Sequence, residues 1–212
     1  MSAALLVQGS PEWHAARRGK VTASKIAALR ARTKSGWAAS RKNYAAELIC
    51  ERLTGTTAES YINAAMQWGI DHEPHCADAI EFRLGIDLAP CGFIDHPAIA
   101  MAGASPDRLI GTDALAEFKC PNTATHIETL LSGDVDEDYI QQMQWQLACT
   151  GRKRALFASF DPRLPERLRL FTRWFERDDV VIAAMEKDVR EFLAELEAKQ
   201  SALSKITLRE AA

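Results

Sequence analysis

Apolar positions along the chain change period several times, and each change predicts an element. The stretch "AAMQWGIDHEPHCADAIEFRLG", residues 64–85, has a helical period with Gly69, Glu73 and Ala77 on one face and Gly85 as its stop. Pro74 inside it removes one hydrogen bond, which predicts a kink or a restart. From about 90 to 121 the pattern becomes short apolar runs cut by "DHP", "SPD" and "GTD", the signature of strands joined by turns. Helical period returns in "DEDYIQQMQWQLACTG", with Ile140, Met143 and Leu147 facing inward and Gly151 closing the helix. "KRALFASF" and "RLRLFTRWF", separated by "DPRLPE", predict a β-hairpin. A long amphipathic helix follows over 178–204, with Val181, Met185, Val189, Phe192 and Leu196 as its stripe. Nearer the start, Ser24 is placed to cap a helix through "KIAALRAR", and "NYAAELICERL" reads as a second helix. The basic, small-residue stretch "TKSGWAASRK" between them reads as a mobile loop. The expected class is α/β, as a single domain over residues 1–212.

Composition narrows the class further. With 212 residues, 47% hydrophobic and 26% charged, the chain matches a soluble globular protein, and no apolar run nears the ~20 residues of a membrane span. The apolar start lacks a preceding basic segment, which predicts no secretory leader and a cytoplasmic location. Five cysteines, odd in number and never in a C-x-x-C pair, argue against a disulfide framework or a zinc cluster and predict reduced, buried thiols. The histidines form no H-x-x-x-H pair, which argues against a zinc site. Net charge is −3, but residues 1–60 hold ten Lys/Arg against four Asp/Glu. Either this is scatter on a solvated surface, or a basic face for phosphates stands apart from an acidic site.

The most informative stretch is "SPDRLIGTDALAEFKCP", residues 105–121. Side chains two apart on a strand point the same way, so Glu117 and Lys119 share a face and Phe118 takes the other. Hairpin pairing across "GTD" can set the Asp107 carboxylate beside that of Glu117. Two carboxylates and the Phe118 carbonyl suit a hard cation such as Mg²⁺, and Lys119 can position a water or act on its proton. The same three side chains on an exposed hairpin would make only weak ion pairs, worth about 0–1 kcal/mol each. Surrounding motifs have to decide between these readings.

The words "EWHAARRGKVTAS", "GIDHEPHCADAIEF", "GASPDRLI", "EFKCP", "YIQQMQWQLACTG" and "FDPRL" occur in an order and spacing that resemble the bacteriophage lambda exonuclease / YqaJ-like viral recombinase family. The resemblance runs from about Glu12 to Leu164. It implies a PD-(D/E)xK restriction-endonuclease-like core, a mixed central β-sheet flanked by helices with a long C-terminal helix. It also implies Mg²⁺-dependent digestion of double-stranded DNA from 5′ ends, with Mn²⁺ as a substitute. Asp107, Glu117 and the Phe118 carbonyl would then hold metal, with Glu73 contributing, while Lys119 and Gln142 serve the attacking water. Gln144 is the alternative if the register slips.

The resemblance further places a 5′-phosphate pocket at Arg17, Ser24 and Ser105, the R-x-G-x-x-T-x-S spacing favouring Arg17 over Arg18. A guanidinium with hydroxyl donors suits a terminal phosphate. Arg30, Arg32, Lys34, Arg41 and Lys42 are candidates to track the DNA backbone, a solvated loop being the plainer reading. Trp13 reads as a core anchor. The family also implies a homotrimeric ring around DNA and a single-strand annealing protein as partner.

Overall fold

The computed structural model describes residues 7–57 and 63–206. Residues 1–6, on which the leader expectation rests, lie outside them. In chain order the elements are α1 (Pro11–Arg17), β1 (Val21–Thr22), a 3₁₀ turn (Ala23–Lys25), α2 (Ile26–Arg30), β2 (Arg32–Thr33), β3 (Gly36–Trp37) and α3 (Ala39–Thr54). Then come α4 (Ala64–Leu84), β4 (Leu88–Pro90), β5 (Ile94–His96), β6 (Ile99–Ala104), β7 (Arg108–Ile110) and β8 (Ala114–Lys119). The chain continues with α5 (Thr123–Ser132), α6 (Glu137–Thr150), β9 (Arg154–Phe160), a 3₁₀ turn (Glu166–Leu168), β10 (Leu170–Glu176) and α7 (Asp179–Leu203).

The larger sheet has five strands in the order β10-β9-β8-β7-β4, with β8 and β9 parallel and the other pairs antiparallel. A smaller sheet, β1-β6-β5, pairs β1 with β6 in parallel. Because strand side chains alternate, β8 sends its residues to two cores. Leu115 joins Phe157 from β9, Met143 and Leu147 from α6, and Phe192 from α7. Ala114, Ala116 and Phe118 pack with Leu156 and with Cys76, Ala77 and Ile80 of α4. Glu117 shares the Leu115 face but lies nearer the strand's end, so a carboxylate sits where the apolar layer gives way.

Gly85 and Gly151 end α4 and α6 in the left-handed conformation, at φ 62° and 69°, and their N–H groups donate to Glu81 and Leu147 carbonyls. The stripe on α7 is Ile182, Met185, Val189, Phe192 and Leu196, all buried; Val181 is only half-buried. Each contributes about 1.5–3 kcal/mol of burial. The chain passes through Pro74 without a break, so the expected restart does not occur. Pro74 forfeits only its own N–H bond, and the buried Cys76, Ala77 and Ile80 hold the following turns.

Other expectations also need correction. Ser24 lies inside the first 3₁₀ turn, and α2 starts after Lys25 with no side-chain cap. The stretch expected as a mobile loop contains the β2–β3 hairpin, closed through Gly36 at φ 129°. Trp37 on that hairpin is covered by the Arg32 and Arg41 guanidiniums at 3.6 and 3.9 Å. Cys50 is exposed, whereas the other four thiols are buried. Three elements not anticipated are α1, β1 and α5. Two of these carry local signals, since Ser10 and Asn122 cap α1 and α5 by accepting from Trp13 and Thr125 N–H groups. Among the described residues no helix is long and apolar enough to cross a membrane.

Candidate active site

The β7–β8 hairpin creates the site. Its register sets Arg108 against Ala116, which brings Asp107, one residue before β7, level with Glu117. Asp107 is 8% and Glu117 2% exposed. The Asp107 carboxylate accepts the Phe118 N–H at 2.6 Å. Glu117 Oε1 accepts from Lys119 Nζ and from Gln142 Nε2, both at 2.6 Å, and Glu117 Oε2 accepts from Gln146 Nε2 at 2.6 Å. Lys119 Nζ also donates to Gln142 Oε1 at 3.4 Å.

These groups open onto a cleft of about 210 Å³, which Glu73 lines from α4. Burial raises the Asp107 carboxyl well above the usual carboxylate range, and the charges of Glu117 and Glu73 raise it further. The Glu73 carboxyl is raised for the same reasons, burial first and then Glu117. Burial alone would lower the Lys119 ammonium, but Glu117 and Asp107 outweigh it and raise it above its ordinary value. In the metal-free protein Lys119 is accordingly held as a cation donating to Glu117. Crowded carboxyls that raise one another's proton affinity are a setting that a divalent cation would relieve.

The donor chemistry fits that cation as well, since carboxylate and carbonyl oxygens are what Mg²⁺ takes. No group of three or more His, Cys, Asp or Glu among the described residues is disposed to hold a metal together. Asp107, Glu117 and the Phe118 carbonyl are accordingly the residues that would hold it, with water completing the shell. Glu73, expected to contribute, lines the same cleft and feels the charge of Glu117.

The three residues expected at a terminal phosphate all line the same cleft. The Arg17 guanidinium lies 4.1 Å over the Trp13 ring, and Trp13 Nε1 donates to Ser105 Oγ at 2.9 Å. Trp13 is half-buried at this wall, so it is not the core anchor expected. Burial lowers the Arg17 guanidinium somewhat, with Tyr44, Glu51 and Glu47 opposing. Arg17, not Arg18, reaches the cleft. Gln144 turns away, donating to the Glu176 carbonyl and accepting from the Asp178 N–H at 2.7 and 2.9 Å.

The basic set divides. Lys34 and Lys42 are exposed, and Arg32 is exposed but stacked on Trp37. Arg30 is held by Asp188 and Gln141, both at 2.8 Å. Arg41 corrects the expectation outright: it is 3% exposed, donates to the Leu29 carbonyl and Glu195, and lies 4.9 Å from the Phe192 ring centre. Its guanidinium fastens α3 to α7 and is not free for a phosphate. Gln146 was not anticipated, although it follows Gln142 by four residues and so faces the same way on α6. Gln8 was also missed; it straps the cleft rim by donating to the Cys91 and Pro106 carbonyls.

The profile of the YqaJ-like viral recombinase domain matches residues 12–153. The chain belongs to this family. It is similar to the alkaline exonuclease LHK-Exo of Laribacter hongkongensis, at 52% identity and a TM-score of 0.86, covering 92% of this chain and 97% of that one. The complex of LHK-Exo with dAMP superposes equally well, with a TM-score of 0.87. A phage-related exonuclease from Haemophilus somnus 129PT shares the fold alone, at 15% identity and a TM-score of 0.68 over 89% of this chain and 96% of that one. No curated protein matches the chain. Sheets flanked by helices and a long C-terminal helix are thus the nuclease fold of the alkaline exonucleases.

Proposed function

We propose that this YqaJ-like protein is a Mg²⁺-dependent 5′-to-3′ exonuclease acting on double-stranded DNA ends. It releases 5′-mononucleotides and leaves 3′ single strands for recombination by strand annealing. The observation that carries this reading is the buried Asp107–Glu117 pair, with Lys119 and Gln142 bonded to Glu117, at the wall of an open cleft. Kinship with an alkaline exonuclease supports it.

Asp107, Glu117 and the Phe118 carbonyl would hold a divalent cation, which would supply charge neutralisation at the scissile phosphate and acidify water at neutral pH. The chain's own groups do the rest. Lys119 and Gln142 donate and accept at the edge of Glu117, where they orient water against the phosphate. Arg17, Ser24 and Ser105 offer a guanidinium and two hydroxyls to a terminal 5′-phosphate, and Trp13 holds Arg17 and Ser105 in place. Lys34, Lys42 and Arg32 meet the DNA backbone without reading bases. The protein works as a homotrimer with a single-strand annealing partner, in the cytoplasm of a bacterial or phage-infected cell.

The test is digestion of a blunt duplex labelled at one end, with Mg²⁺ or Mn²⁺. Loss of the 5′-phosphorylated strand from its 5′ end, and no activity with Lys119→Ala, is the expected result. Equal rates on 5′-phosphate and 5′-hydroxyl ends would remove the phosphate pocket. Undiminished digestion by Lys119→Ala would remove the catalytic assignment.

A further inference from the structure

Glu117 is gripped from α6 at both oxygens, by Gln142 on Oε1 and by Gln146 on Oε2. The two glutamines differ in one respect that matters. Gln142 is half-buried at the cleft, whereas Gln146 is 0% exposed and lies behind the carboxylate. Gln146 Oε1 is buried and has no hydrogen-bond partner. Turning the amide over would set that oxygen 2.6 Å from a carboxylate oxygen, so the donor must face Glu117.

A buried amide with one end unsatisfied costs stability, and a residue kept only for packing would be apolar there. Gln144, two residues away on the same helix and so on another face, shows the structural alternative, with both amide ends bonded to the end of β10 and the turn into α7. We infer that Gln146 is a positioning residue for the metal ligand Glu117, fixing the plane of its carboxylate from behind through an uncharged donor. A lysine there would cancel charge that a cation needs; an amide orients the carboxylate and leaves the charge in place. This inference rests on the metal-dependent reading above.

Full-length wild type, Gln146→Met and Gln144→Met are compared by calorimetric titration of the metal-free proteins with Mn²⁺, by melting in chelator, and by Mg²⁺-dependent duplex digestion. Gln146→Met weakens Mn²⁺ binding roughly ten-fold or more and raises the half-saturating Mg²⁺ to match. Its KM for DNA stays close to wild type, while its melting midpoint in chelator falls by a few degrees because Glu117 Oε2 loses its donor. Gln144→Met also melts lower, but with Mn²⁺ affinity within about two-fold of wild type. Should Gln146→Met not fold, Gln146→Ser carries the same Mn²⁺ comparison. Mn²⁺ affinity unchanged in the Gln146 variant, or equally weakened in the Gln144 variant, overturns the inference. Wild type that neither binds Mn²⁺ nor digests DNA fails the metal-dependent reading itself, a separate outcome.

Discussion

Asp107 does two things, and two substitutions separate them. Its carboxylate contributes charge to a crowded acidic site, and it accepts the buried Phe118 N–H at 2.6 Å. Asp107→Asn removes the charge and keeps an acceptor oxygen. Asp107→Ala removes both and leaves the buried Phe118 N–H, which lies beyond the β7 pairing, without its acceptor. An orphaned buried donor costs about 1–3 kcal/mol. In a chain of this size each kcal/mol shifts the midpoint by roughly 2–4 °C, so the Ala protein should melt about 2–12 °C below the Asn protein in chelator. The pH dependence has a definite sign. A carboxyl raised in the folded state binds its proton more tightly there than in the unfolded chain. Wild type therefore loses stability relative to Asp107→Asn as pH rises from the ordinary carboxylate value toward the raised one, and regains it on acidification. Both variants lose duplex digestion. Melting curves at several pH values in chelator are the assay, and an Ala protein as stable as the Asn protein would refute the reasoning.

Asp161 should behave in the opposite way. It is 0% exposed; burial alone would raise its carboxyl, but Arg163 and Thr123 outweigh this and hold it at about 2, below the ordinary 3.8. Discounting for the half-exposed Arg163, that is worth about 2 kcal/mol, present above pH ~4 and lost as pH falls toward 2. Asp161→Asn should flatten that acid limb in urea titrations at pH 2–7. Gly103→Ala should destabilise by about 1–3 kcal/mol, because the new Cβ would lie 2.4 Å from the Phe93 ring and 2.6 Å from the Ile94 carbonyl. Phe93→Ala should rescue only part of that loss, since the carbonyl stays, and full rescue would contradict the geometry. Arg41→Ala should lower the midpoint while leaving the salt dependence of DNA binding unchanged; Lys34→Ala and Lys42→Ala should each reduce that slope.

Elements whose determinants lie within a turn or two were legible from the chain alone. The α7 stripe, the glycine stops of α4 and α6, and the β9–β10 hairpin each depend on period or on one backbone conformation. The Asp107–Glu117 pairing was legible too, because a short hairpin fixes its own register. Where the determinant is remote, local reading failed. Pro74 argues for a break, yet packing of the next helical turn on β8 and β9 overrides one missing bond. The β2–β3 segment looks like a polar loop because one of the two guanidiniums that cover Trp37, that of Arg41, is itself held against Phe192, far along the chain. Gln146 shares the face of Gln142 by its i+4 spacing, but nothing in a glutamine's identity says which carboxylate it meets.

The charge asymmetry is the clearest such case, and it changes what the basic N-terminal region can mean. Arg30 pairs with Asp188 at 2.8 Å and Arg41 with Glu195 at 2.8 Å, while Arg52 donates to Gln200 and feels the charge of Glu197. Three cations counted early in the chain thus face one side of α7, whose acids are counted late. Part of the excess that suggested a phosphate-binding face is therefore electrostatic docking of α2 and α3 onto the C-terminal helix. Lys20 and Lys25 pair with Asp95 and Glu47, which leaves for DNA the exposed Lys34 and Lys42, the stacked Arg32, Arg18, and Arg17 in the cleft. Five such cations imply a shallower salt dependence of DNA binding than ten would.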